Sequence, residues 1–152
     1  MFENMLVCLD GSILAEQILP YAEVQALKFN SRVTLLQVVV TNIPEIVQAG
    51  ATYKQFTNAE LRSREMMQKA KTYLDNTAHA LREKGIRVET VALEAASVGD
   101  TILKYVRDNG VDFILMATHG RGGIRHVVMG SIAEHVMKAS ALPILIIRPK
   151  SQ

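Results

Sequence analysis

The residues with the most chemical content lie between Thr118 and Ser131. Gly120, Gly122 and Gly123 remove side chains from a loop that also carries His119, Arg121, Arg125 and His126, and Gly130-Ser131 follows where a helix is expected to start. A glycine-rich turn feeding a helix N-terminus offers free amide N–H groups and the positive end of the helix dipole, which is the physical recipe for holding phosphate. The 21 residues from Phe113 to Ala133 contain no acid, so the local charge also favours an anion. The loop matches neither standard phosphate fingerprint. G-x-x-x-x-G-K-[ST] is missing, which leaves P-loop hydrolysis without support, and G-x-G-x-x-G is missing too, so a dinucleotide oxidoreductase is not indicated. A flexible turn between a strand and a helix accounts for three glycines equally well at this point.

A second group is Asp10-Gly11-Ser12, directly after an apolar run. Asp10 could help hold magnesium beside phosphates, since that ion favours one or two carboxylates plus phosphate oxygens. It could also simply begin a turn. Ser12 reads as a helix cap, because no base is placed beside it to make it a nucleophile. His79, His119, His126 and His135 are 40, 7 and 9 residues apart. No i, i+4 pair exists, so they do not form a metal set; His79 and His135 read as solvated helix residues. Cys8 falls inside an apolar run and reads as a small apolar side chain. Met66, Met67 and Met137 fall in helical apolar patterns and read as core.

These groups need a scaffold, and the chain supplies an alternating one. Met5 to Leu9 is a continuous apolar run ended by turn residues, as suits a strand buried on both faces. A helix capped by Ser12 is expected through Leu14, Ile18, Ala22, Ala26 and Phe29, with Pro20 marking a kink or a break. Val33 to Val40 is a second strand. Residues 41 to 57 carry no period and read as a long connection. A long helix is expected over Asn58 to Lys84, with Met67, Ala70, Leu74, Ala78 and Leu81 on one face and Gly85 as its cap. Ile86 to Leu93 is a third strand. Ser97 and Asp100 have capping-box spacing before a helix that Gly110 ends. Phe113 to Ala117 is the fourth strand. A helix with Ile132, Ala133, Val136 and Met137 follows, and Ile144 to Ile147 is the last strand. Such alternation predicts an α/β, doubly wound, Rossmann-like fold with parallel strands. In such sheets ligands bind beyond the strands' carboxyl ends, where the strand order reverses. If the first and fourth strands are neighbours, Asp10 and the glycine loop face one crevice.

Composition bounds the rest. With 152 residues, one domain spanning 1–152 is expected. Seventeen Lys and Arg against fifteen Asp and Glu give a net charge of +2, far from a dedicated nucleic-acid surface. Aromatics are 5% and Trp is absent, so there are few platforms for stacking single-stranded bases. No apolar run approaches the roughly 18 residues of a membrane span, and one cysteine fits a reducing, cytoplasmic location.

The segment Met116-Ala117-Thr118-His119-Gly120-Arg121-Gly122-Gly123, continuing to Met129-Gly130-Ser131, resembles the signature of the universal stress protein family. The nucleotide-binding branch of that family carries G-x-x-G, nine residues, then G-[ST]. Gly120, residues 121 to 129 and Gly130-Ser131 match it, and Ala117 stands where the first glycine would be. The resemblance runs from Leu9-Asp10-Gly11-Ser12 to Pro143-Ile144-Leu145-Ile146. It implies a five-stranded parallel sheet of the adenine nucleotide alpha hydrolase-like kind, a homodimer joined through the edge segment 142–147, and ATP in the crevice between the first and fourth strands. It implies that Gly120, Gly130 and Ser131 surround the phosphates through amides and the Ser131 hydroxyl. Met116, Ala117 and His119 would lie along the ribose and nearby phosphates, with Ile132 adding an amide. Leu9 and Asp10 would line the adenine side, and the Val38 backbone would meet the base edge. An extended Ala at 117 pays no φ penalty, so binding is expected to survive there.

The expected function is therefore an ATP-binding, stress-response regulatory module, with magnesium as an accompanying ion. Three alternatives stand beside it: a slow ATPase, a ligand-free dimerisation module, and a binder of another adenine nucleotide such as a cyclic one. Arg121, Arg125 and His119 could stabilise charge, but no carboxylate beside them suggests a base. At most very slow hydrolysis is expected, with no catalytic residue, no protein metal cluster, and neither nucleic acid nor membrane as partner.

Overall fold

The computed structural model describes residues 1–41, 52–118 and 129–150. Five strands, β1 (Asn4–Leu9), β2 (Arg32–Val40), β3 (Arg87–Ala95), β4 (Phe113–Ala117) and β5 (Ile144–Ile147), form one sheet in the order β3-β2-β1-β4-β5. Every neighbouring pair is parallel. The chain winds outward from β1 to β3, then returns to the other side of β1 for β4 and β5. The order thus reverses between β1 and β4, where Met5 pairs with Phe113 and Val7 with Leu115.

The helices are α1 (Ile13–Glu16), α2 (Leu19–Phe29), α3 (Tyr53–Arg82), α4 (Val98–Asp108) and α5 (Ser131–Ala139). They cover both faces of the sheet. On one face Val7, Leu35 and Leu115 pack with Ala15 of α1, Ile18, Ala22 and Ala26 of α2, and Leu74, Ala78 and Leu81 of α3, where Ile18 is the α2 cap. On the other, Leu6, Leu36 and Ile114 pack under Ile102 and Val106 of α4 and Ala133 and Val136 of α5. Alternation of side chains along each strand supplies both cores from the same apolar runs.

Local chemistry explains where the helices begin and end. Ser12 Oγ accepts from Ala15 N at 3.1 Å and caps α1. Pro20 breaks the expected helix rather than bending it: α1 stops at Glu16, and α2 restarts with Pro20 in its first turn. α3 begins at Tyr53, ahead of the expected Asn58. Thr52 and Gln55 form a reciprocal capping box there, with Thr52 N donating to Gln55 Oε1 at 2.9 Å and Gln55 N to Thr52 Oγ1 at 3.4 Å. Residues 42–51 of the expected connection lie outside the described residues. Gly85 (φ +82°) and Gly110 (φ +62°) end α3 and α4 as expected. Two methionines depart from the expected core: Met66 is 40% exposed and Met137 is 44% exposed. Each lies beside the buried stripe of its helix, which runs through Ser63, Ala70 and Leu74 in α3 and Ala133 and Val136 in α5. No helix among the described residues is long and apolar enough to cross a membrane.

Candidate functional site

A cleft of about 1000 Å³ opens above the carboxyl ends of β1, β2 and β4. Strand pairing brings Leu9 and Asp10 from β1, Val38 from β2, Met116 and Ala117 from β4, and Gly130, Ser131 and Ile132 at the start of α5 into its wall. These positions come from four separate stretches of the chain, and the reversal between β1 and β4 is what joins them. His119, Gly120 and Arg121, with the rest of the glycine loop, lie outside the described residues.

The β4–α5 side is held by the Thr118 backbone. Thr118 N donates to Ile147 O at 2.8 Å, and Thr118 O accepts from Gly130 N at 2.7 Å. A Cβ at Gly130 would stand 2.4 Å from Thr118 O, so only glycine fits. Its φ of −70° suits any residue; the requirement is space. The Gly130 amide is committed to Thr118, so its contribution to the cleft is steric. No side chain caps α5, and the N–H groups of Ser131, Ile132 and Ala133 have no partner within the helix. All three residues line the cleft. Ala117 is the last residue of β4, paired with Ile147, so its backbone is extended.

On the β1 side, Asp10 Oδ1 accepts from Ser12 N at 2.9 Å and from Ser12 Oγ at 2.6 Å. The carboxylate therefore shapes the turn, and Ser12 caps α1. Asp10 is the one carboxylate lining the cleft among the described residues. No group of three metal-ligating side chains occurs among them either.

α5 is fixed from behind by a polar latch. Asp100 Oδ1 lies 2.8 Å from His135 Nε2, and Ser97 Oγ donates to Asp100 Oδ2 at 2.7 Å. The Ser97 hydroxyl first, then the His135 ring, hold the Asp100 carboxyl below its ordinary range. A Cβ on Gly99 would come within 2.5 Å of His135 Cδ2, so glycine there lets α4 and α5 approach. His135, expected to be merely solvated, is a positioning contact. The capping-box spacing at Ser97 is realised differently from a true box, because the short Asp100 side chain meets the Ser97 hydroxyl and not its backbone N–H.

Several cleft residues carry no mark in the sequence. Met66, Lys69, Ala70 and Tyr73 form a wall from α3, and Gln37 enters from β2. Their spacing of three and four marks one helix face, but nothing local says which strand ends that face overhangs. Cys8 also lines the cleft. Burial pushes its thiol up to about 12, so it stays protonated and apolar in character. Burial, followed by the Glu16 charge, raises the Tyr73 phenol above its ordinary value.

The chain is similar to universal stress protein MJ0577 of Methanocaldococcus jannaschii, 30% identical over 98 residues, or 64% of this chain. That stretch takes in 59% of the relative's length. The solved structure of MJ0577 superposes with a TM-score of 0.85 at 24% identity, covering 100% of this chain and 99% of that one. Two further structures share the fold. A universal stress protein solved with cAMP gives 0.68 at 14% identity, covering 98% of each chain. One from Archaeoglobus fulgidus solved with dAMP gives 0.63 at 19%, covering 97% of this chain and 100% of that one. The sequence pattern that defines the family matches residues 1–148, taking in every strand and the whole cleft, and the chain belongs to the universal stress protein family.

Proposed function

We propose that this chain is an adenine-nucleotide-binding regulatory module that takes ATP and works as a homodimer. The observation that carries the reading is the cleft at the strand reversal. It joins the uncapped start of α5, with glycine at the one position where a Cβ would strike Thr118 O, to the Asp10 turn and the apolar end of β2. Phosphates suit the amides of Ser131, Ile132 and Ala133 and the Ser131 hydroxyl. A base suits the far wall, beside Leu9, Val38 and the face of α3. Met116 and Ala117 lie between, at the place for the ribose. His119, Gly120 and Arg121 complete the phosphate side in this reading. Magnesium would rest mainly on phosphate oxygens, with Asp10 as its one protein carboxylate. A single carboxylate among the described cleft residues, already holding a turn, supports binding over hydrolysis. Relatives solved with cAMP and dAMP favour the adenine class, and the cAMP complex favours a cyclic nucleotide as the second reading.

Titration with a fluorescent ATP analogue is expected to saturate below millimolar ligand, and mass spectrometry of ligand released from freshly purified protein is expected to find ATP. No saturation at millimolar ligand sinks the reading; cyclic AMP in the released fraction selects the second one. The dimer rests on β5. It is the sheet's edge, and Ile144 to Ile147 are all half-buried and apolar, a segment that strand pairing across a two-fold axis would cover. Sedimentation at micromolar concentration is expected to give twice the chain mass, and a monomeric mass refutes the dimer.

A further inference from the structure

Behind the cleft wall, three polar side chains join the first turns of two helices. Ser97 caps α4, its hydroxyl donates to Asp100 Oδ2 at 2.7 Å, and Asp100 Oδ1 meets His135 Nε2 of α5 at 2.8 Å. None of the three lines the cleft, but their neighbours do: Val98 beside Ser97, and Ser131, Ile132 and Ala133 just before His135. The fold does not need these contacts for its cohesion. Ile102, Val106, Ala133 and Val136 already join α4 and α5 in one core. Asp100 and His135 are 70% and 50% exposed, where an ion pair adds little stability. Their net charge is another matter. With the imidazole protonated the pair is neutral. With the ring neutral, the Asp100 carboxylate leaves one negative charge beside His135, four residues and ~6 Å of helix from Ser131. The other charges around the pair are largely matched. Glu134 pairs with Lys138 on α5, and Lys104 with Asp108 on α4. Arg107 acts on Asp100 from α4, and the strand side chains of the shared core, Leu6, Ile114 and Met116, are apolar.

We propose that Asp100 and His135 are positioning residues that make nucleotide affinity proton-linked: they hold the start of α5 against α4, and protonation of His135 cancels the Asp100 charge behind the phosphates. The proposal rests on the nucleotide reading above and adds to it a regulating proton. Imidazole is the side chain whose charge ordinarily changes between about pH 5 and 8. In that reading phosphate meets the amides at the start of α5, and a negative charge on the flank of that helix opposes it. Affinity therefore falls as pH rises through the titration of the ring. Across ~10 Å at a wet surface, one unit charge changes the affinity for phosphate about threefold. Bound nucleotide in turn favours the protonated ring by the same factor.

The test measures dissociation constants of ATP at about pH 6 and about pH 8 for the wild type, His135→Gln and Asp100→Asn, with circular dichroism as the control for folding. Glutamine keeps an Nε2 donor for Asp100 and carries no charge, so comparing it with the wild type at each pH removes the titration of ATP itself. Asparagine keeps an acceptor for the His135 ring. The wild type is expected to match His135→Gln at about pH 8 and to bind about threefold more tightly at about pH 6. Asp100→Asn is expected to bind about threefold more tightly than the wild type at about pH 8, the opposite of what losing a purely structural contact gives. A ratio of wild type to His135→Gln that is the same at both pH values overturns the proposal, and so does an Asp100→Asn protein no tighter than the wild type at the higher pH. Both outcomes leave the nucleotide reading standing. A wild type that binds no ATP overturns both.

Discussion

Replacing Gly130 with aspartate is expected to abolish nucleotide binding while leaving the protein folded. Two effects act together. The new Cβ stands 2.4 Å from Thr118 O, so either the start of α5 or the end of β4 must move, and the Gly130–Thr118 hydrogen bond of 2.7 Å is lost. The carboxylate then sits at the helix start where the proposed phosphate site lies. At ~4 Å and an effective dielectric near ~20, like unit charges repel by ~4 kcal/mol, on the order of 1000-fold in affinity. Gly130→Ala separates the two effects, since it keeps the steric conflict and omits the charge, and an intermediate loss is expected. Calorimetric titration of both variants with ATP checks this, with circular dichroism as the control for folding. An aspartate variant that binds within about threefold of the wild type would place the phosphates elsewhere.

Leu115→Ala is expected to produce the largest loss of stability. Leu115 is fully buried in β4, between Val7 of β1 and Leu145 of β5 in the register. Its side chain belongs to the core under α1, α2 and α3. Leucine-to-alanine changes in well-packed cores cost about 2–5 kcal/mol, through lost burial and the cavity left behind, so ~3 kcal/mol is a central expectation. For a chain of this size that lowers the melting temperature by roughly 6–12 °C. Ile13→Ala is the control: Ile13 is 71% exposed, and a change within about 0.5 kcal/mol is expected. Thermal unfolding followed by circular dichroism separates the two. Equal melting temperatures for Leu115→Ala and the wild type would mean that the sheet does not carry the core in this way.

The sheet is legible in the sequence because parallel strands buried on both faces are written as unbroken apolar runs. Met5 to Leu9 and Phe113 to Ala117 need no partner to be recognised. Their adjacency is a different matter: nothing in either run encodes that Val7 meets Leu115, and the crevice exists only once that pairing does. Helix starts are legible where an apolar period follows the cap, as after Ser12 and Ser97. The Thr52–Gln55 box escapes notice because the residues after it show no such period. Met66 and Met137 mislead for a related reason, since an apolar side chain beside a buried stripe looks the same in sequence as one within it. Gln37 is hidden by its neighbours in an apolar strand. That its buried amide oxygen has no hydrogen-bond partner among the described residues depends on which atoms of α3 lie above it, and this is a property of packing alone.

The double attachment of Thr118 has a consequence for how the sheet edge and the cleft communicate. Its N–H is fastened to Ile147 of the edge strand and its carbonyl to Gly130 at the start of α5. The two bonds are separated by a single α-carbon, and so by only two soft dihedrals. Displacement therefore passes with little slack between whatever pairs with that edge and whatever fills the cleft. A ligand in the cleft and a partner on the edge would act on the same lever from opposite sides. Any factor by which one changes the other's affinity must be returned in equal measure.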